Sequence, residues 1–192
     1  MDLKGHIATS LFAIWRFFFE GEKVLKYLDA TAKGVFRSFF ALFFAAPVFF
    51  LIAWLQFRGA GFDALSFFRI LGLFVGYGVA WAGFAFLIFH AQGVVGPRAN
   101  YLFFLPLYNW GRIFSLIFLV PYFALASFGV IEGDIKIGFL ALSVAAILAY
   151  KLAIARATLG VNYFHGLVFV SFDILLTLLV GATIFEIFKI FQ

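Results

Sequence analysis

The chain has 192 residues, 66 % hydrophobic and only 12 % charged, far from the roughly 45–50 % apolar and about 25 % charged make-up of a soluble domain. It therefore reads as an integral membrane protein whose net charge of +5 needs no nucleic-acid partner, because basic residues collect at cytosolic loops. With no Cys, disulfides, thiolate metal sites and Cys nucleophiles are excluded, and His6, His90 and His165 are too scattered to bind a metal.

Residues 1–33 are polar enough to stay out of the hydrocarbon yet repeat Ile7, Leu11, Ile14, Trp15 and Phe18 at three- and four-residue steps. This pattern predicts a cytosolic, amphipathic interfacial helix that Gly21 breaks, followed by a second short amphipathic turn over Glu22 to Asp29. Arg16 within the apolar stretch, and the lack of a small-residue cleavage site after it, argue against a secretory signal peptide.

Residues 34–192 form one transmembrane domain of five helices, with spans at about 35–57, 65–90, 101–130, 137–158 and 165–190. The fold class is thus an all-α membrane bundle. Pro47 is placed to kink the first span. In the second, Gly72, Gly76 and Ala80 recur every four residues as a close-packing face. The third is longer than a perpendicular crossing needs. Pro106 and the Tyr108–Trp110 pair suggest that its first part lies at headgroup depth, where Tyr and Trp gather. Asn109 and Arg112 share a face there, and Lys151 and Arg156 lie toward the end of the fourth span.

The fifth span carries Asp173 inside an otherwise apolar run. A carboxylate at that depth is costly, turns toward the bundle interior and is paired, and so marks a site. Thr177 and Gly181 follow it on one helical stripe and are expected to pack against a neighbouring helix. The plain alternative is that Asp173 only ties helices together.

Counting basic residues orients the chain. With a cytosolic N-terminus, Lys4, Arg16, Lys23, Lys26, Lys33, Arg37, Arg98, Arg112, Lys151 and Arg156 fall inside, whereas only Arg58, Arg69, Lys136 and Lys189 fall outside. The C-terminus is then on the opposite side. Arg112, Lys151 and Asp173 all come to lie on the order of 10 Å below the cytosolic surface. The expected site is a polar cluster of Asn109, Arg112, Lys151 and Asp173 with a cytosolic rim of Arg98, Tyr150, Arg156 and His165.

Such a cluster suits a non-enzymatic accessory, scaffold or assembly subunit that contacts anionic lipids, other membrane proteins or its own copies. The alternative is a small oligomeric transporter or channel using Asp173 for a proton or ion, although no matched inverted halves are visible. An enzyme is not expected, because HExxH, GxSxG, phosphate-loop and paired-aspartate patterns are all missing. No cofactor is expected, and a bacterial inner membrane is the simplest home.

Overall fold

A computed structural model describes residues 3–59, 67–90 and 101–190, without the side chains of 57–59, 67–70, 184–185 and 187–190. Among them the chain is all-helical: α1 (Leu3–Glu20), a 3-10 helix (Gly21–Tyr27), α2 (Ala32–Ser38), α3 (Ala41–Gly59), α4 (Phe67–His90), α5 (Tyr101–Ser127), α6 (Gly133–Leu159) and α7 (Tyr163–Ile190). Five segments are long and apolar enough to cross a membrane: 32–56, 71–90, 101–127, 133–159 and 163–183. The protein is therefore a multi-pass membrane bundle preceded by an N-terminal helix.

The first span is built from two helices. Its break falls at Phe39–Phe40 rather than at Pro47, which lies within α3. Ser38 explains the position. Its hydroxyl donates to the Val35 carbonyl at 2.6 Å, a local bond that competes with the helical ladder, and Phe39 and Phe40 fall back on three-residue turns to Phe36 and Arg37.

α5 is the axis of the bundle, since 61 % of its most apolar stretch is buried against 17–33 % in the other four spans. Around it sit α1, α2, α3 and α6, while α7 closes the ring between α6 and α4. The third span is one continuous helix. Tyr108 and Trp110 are 1 % and 0 % exposed, so these rings are core residues and not a headgroup belt. Tyr108 stacks on Phe84 of α4 at 4.9 Å between centroids, and Trp110 meets Phe44 of α3 at 5.6 Å. In lipid such packing is held by dispersion and close fit, not by expulsion of water.

Side-chain contacts show that neighbouring spans alternate in direction. The start of the first meets the start of α5 at Ser38–Asn109, and the end of α4 meets the start of α5 at Phe84–Phe104. Gly111 of α5 faces Ile154 of α6 so closely that a Cβ would stand 2.9 Å from Ile154 Cδ1. The α6–α7 turn is set by Gly160, whose φ of 67° suits a left-handed helix cap, with its N–H donating to the Arg156 carbonyl. Asn162 Oδ1 then accepts from the His165 N–H at 2.9 Å and caps α7.

α1 ends where Gly21 takes a positive φ, 54°. Its buried face is His6, Ser10, Ala13, Ile14 and Phe17, rotated away from the stripe of largest apolar residues. That smaller, partly polar face packs on the bundle. Phe12, Trp15 and Phe19 are left 45 %, 57 % and 76 % exposed, as suits a helix with bulky apolar groups turned outward. Contacts from His6 to Trp110, Trp15 to Phe114 and Phe18 to Phe118 lay α1 alongside α5.

Candidate functional site

Asp173 is 0 % exposed and accepts three donors from two other helices. Tyr108 Oη of α5 donates at 2.7 Å and Lys151 Nζ of α6 at 2.5 Å to Oδ2, while Arg112 Nη2 of α5 pairs with Oδ1. Helical spacing makes this possible: Tyr108 and Arg112 lie one turn apart on the face of α5 turned to α7. Both carboxylate oxygens are thereby satisfied, as a buried anion requires.

Arg112 is held in an aromatic cage. Its guanidinium carbon lies 4.9 Å from the Trp81 ring centroid, 5.5 Å from Phe84 and 5.6 Å from Tyr108. Desolvated cation–π contacts of this kind contribute about 2 kcal/mol and offset part of the cost of burying the ion. Lys151 Nζ also stands over Tyr108, at 5.6 Å. Two cations thus surround one anion. Arg112 Nε is buried with no hydrogen-bond partner among the described residues, and the Lys151 side chain keeps 12 % exposure.

Asn109 belongs to an adjoining network rather than to the ion cluster. Its Oδ1 accepts from Trp81 Nε1 at 2.7 Å, and its Nδ2 donates to Ser38 Oγ at 2.8 Å, joining α4, α5 and α2. Trp81 links the two networks, because its ring carries Arg112 while its N–H holds Asn109.

Of the expected cluster, Arg112, Lys151 and Asp173 come together and Asn109 lies next to them. Of the expected rim, the three described members, Tyr150, Arg156 and His165, make their contacts elsewhere. Arg98 lies outside the described residues. Tyr150 turns toward α1, stacked on Phe18 at 4.7 Å, because its position on α6 points away from Lys151. Arg156 lies over the Tyr163 ring at 3.5 Å, and His165 is exposed on its capping Asn162. On α4, Ala80 is 2 % exposed, Gly76 is buried and Gly72 half-buried, in line with a packing face. Thr177 and Gly181 instead stand exposed, since the buried stripe of α7, Gly166–Val170–Asp173, ends at Asp173. A Cβ at Gly181 would meet nothing within 4 Å.

Sequence reasoning missed Tyr108, Trp81 and Ser38. Tyr108 was findable from its place four residues before Arg112, a turn that puts a hydroxyl and a guanidinium on one face. Trp81 and Ser38 carry no such signal.

A second buried polar spot lies where α1 meets α5. Among the described residues, His6 is 0 % exposed with both ring nitrogens unpartnered, and its ring centroid is 6.5 Å from Trp110, whose Nε1 is also unpartnered. Burial lowers the His6 pKa below its usual 6.5; Asp29 opposes this and Arg37 adds to it. Among the described residues no three His, Cys, Asp or Glu side chains are grouped to hold a metal.

The chain has no match among the models of known protein families, among curated proteins or among solved structures.

Proposed function

We propose that this protein is a non-enzymatic assembly or scaffold subunit of a membrane, working through contacts with other membrane proteins and with lipids. The observation that carries this reading is the closed state of its intramembrane carboxylate. Asp173 is fully buried and spends both oxygens on Tyr108, Arg112 and Lys151. Both oxygens of the carboxylate are taken up by partners from within the bundle, so the cluster suits a fixed joint between α5, α6 and α7. Transport through Asp173 gains no support from that arrangement.

The outer surface supports the same reading. α6 and α7 are the least enclosed spans, and α7 presents Phe172, Leu175, Leu178 and Leu179 outward at 50–64 % exposure. Such faces take lipid or a partner helix. The strongly uneven distribution of Lys and Arg favours a cytosolic N-terminus and a cytoplasmic membrane, and the same basic excess favours anionic lipids at that face.

The test is extraction of the tagged full chain from its native membrane in polymer nanodiscs, followed by mass spectrometry of what is retained. A membrane subunit in fixed stoichiometry, depleted in Asp173→Asn, is the expected result. A lone chain without a bound subunit would overturn the assembly reading.

A further inference from the structure

Two observations at α7 belong together. Among the described residues the buried cluster carries one more positive charge than negative, Arg112 and Lys151 against Asp173, with Arg112 only 6 % exposed and its Nε unpartnered. An uncompensated charge is costly in a low-dielectric interior, and the aromatic cage offsets that cost in part. One and two helical turns beyond Asp173 on the same stripe, Thr177 and Gly181 face open space. The Thr177 hydroxyl donates to the Asp173 carbonyl at 2.8 Å, so small residues exposed just beyond the carboxylate that Lys151 pairs with leave room for a helix backbone to approach there.

We propose that the Thr177–Gly181 face of α7 docks a transmembrane helix of another protein, one bearing a single ionised carboxylate that balances the excess charge at Lys151. This deepens the assembly reading and rests on it. Lys151 is the natural contact. It is the least buried member of the cluster, at 12 % exposure, and an ammonium has three donors, of which one goes to Asp173.

A second copy of this chain does not supply the missing charge. Within the five spans the acidic residues are Asp134 and Asp173. Asp173 is already saturated, and Asp134 lies near the start of α6, seventeen residues or about 26 Å along the helix from Lys151. A lipid phosphate is also poorly placed, since Lys151 lies eight residues, about 12 Å, inside the Leu159 end of α6. A carboxylate on a partner helix meets Lys151 at its own depth.

The experiment uses the full chain in phosphatidylcholine nanodiscs and a labelled Leu-rich transmembrane peptide carrying one Glu about 12 Å from its end, beside a Gln twin. Energy transfer to a dye on the chain reads binding. The Glu peptide is expected to bind at least about tenfold more tightly than the Gln peptide, and Lys151→Met to erase that preference. Gly181→Leu, which fills the face without touching the charges, weakens both peptides together.

Equal binding of Glu and Gln peptides to wild type overturns the proposal, as does a preference that survives Lys151→Met. So does displacement of the Glu peptide by phosphatidylglycerol, which would assign the charge to a lipid phosphate. Lys151→Met leaves the Arg112–Asp173 pair intact, and gel filtration reports whether it folds. Where it does not, the Glu/Gln ratio in wild type and the Gly181→Leu loss decide. Native subunits retained equally by wild type and Lys151→Met would keep the assembly reading and reject this site; no retained subunit in either would reject the assembly reading itself.

Discussion

Asp173 is paired with two cations at once, so removing its charge is expected to be far worse than removing the whole cluster. Asp173→Asn leaves Arg112 and Lys151 buried against each other, and a loss of about 3–5 kcal/mol in stability follows from stranding buried ions. The triple change Arg112→Met, Lys151→Met, Asp173→Leu removes ions and desolvation cost together and should unfold near the wild-type temperature or above it. Thermal unfolding followed by Trp fluorescence in detergent separates the two, and equal losses would show that the cluster is not a coupled unit. His6 yields a pH prediction of defined sign. Held neutral by burial, with Asp29, Arg37 and Trp110 around it, the docked His6 binds fewer protons than the unfolded chain below its usual 6.5. Its contribution is therefore whole above 6.5 and is lost as pH falls below it, so α1 amides should exchange faster at about pH 5.5 than at about pH 7.5, apart from the intrinsic chemical rate. His6→Phe should abolish that difference. At this scale the charged members of the site were legible, because an ion in an apolar run stands out whatever the fold. Trp81 was not, since in a chain with 32 Phe, 7 Tyr and 4 Trp an aromatic residue distinguishes nothing by itself, and Tyr108 stands out only through its place one turn before Arg112.

Elements meet here through glycines as much as through aromatics. Gly111 brings α5 against α6, where a Cβ would stand 2.9 Å from Ile154 Cδ1 and 3.3 Å from Tyr150 Cε1. Gly166 brings α7 against α6, with 2.6 Å to Leu152 Cδ1. Gly111→Val and Gly166→Val should each cost about 1–3 kcal/mol by overpacking, while Gly138→Ala, in open space on α6, should be neutral or slightly stabilising because Ala suits a helix better. Unfolding midpoints in a denaturing-detergent titration check the order. A Gly138→Ala loss as large as that of Gly111→Val would contradict the packing described. The existence of each span was legible from its apolar length and that of α1 from its periodicity, but the division of the first span into α2 and α3 and the face α1 buries were not. A hydrophobic stripe marks the inner face only when the outside is water. Here the outside suits apolar groups equally well, so His6, Ser10 and Ala13 go inward for fit while Trp15 and Phe19 go out. The same reasoning explains Thr177 and Gly181, whose small size allows packing without saying which helix provides it.

For the molecule as a whole, the number of crossings follows from a constraint that no local detail overrides: each span needs about 20 apolar residues, and five stretches meet it. Orientation rests on a different physical asymmetry, the retention of Lys and Arg on the cytosolic side, and the bundle adds a condition of its own. Because neighbouring spans alternate in direction, the side of a single loop fixes the side of every other. The Cys-free chain makes this directly measurable. Val130→Cys lies before α6 at 66 % exposure and Val161→Cys just after it, at the opposite end of the helix. With the N-terminus cytosolic, a membrane-impermeant maleimide should label Val130→Cys in intact cells, and Val161→Cys only once the membrane is opened. The reverse pattern would invert the whole bundle and place the Lys151 end of α6 on the outer side. Labelling of both from one side would remove α6 from the membrane and, with it, the helix that carries Lys151 to Asp173.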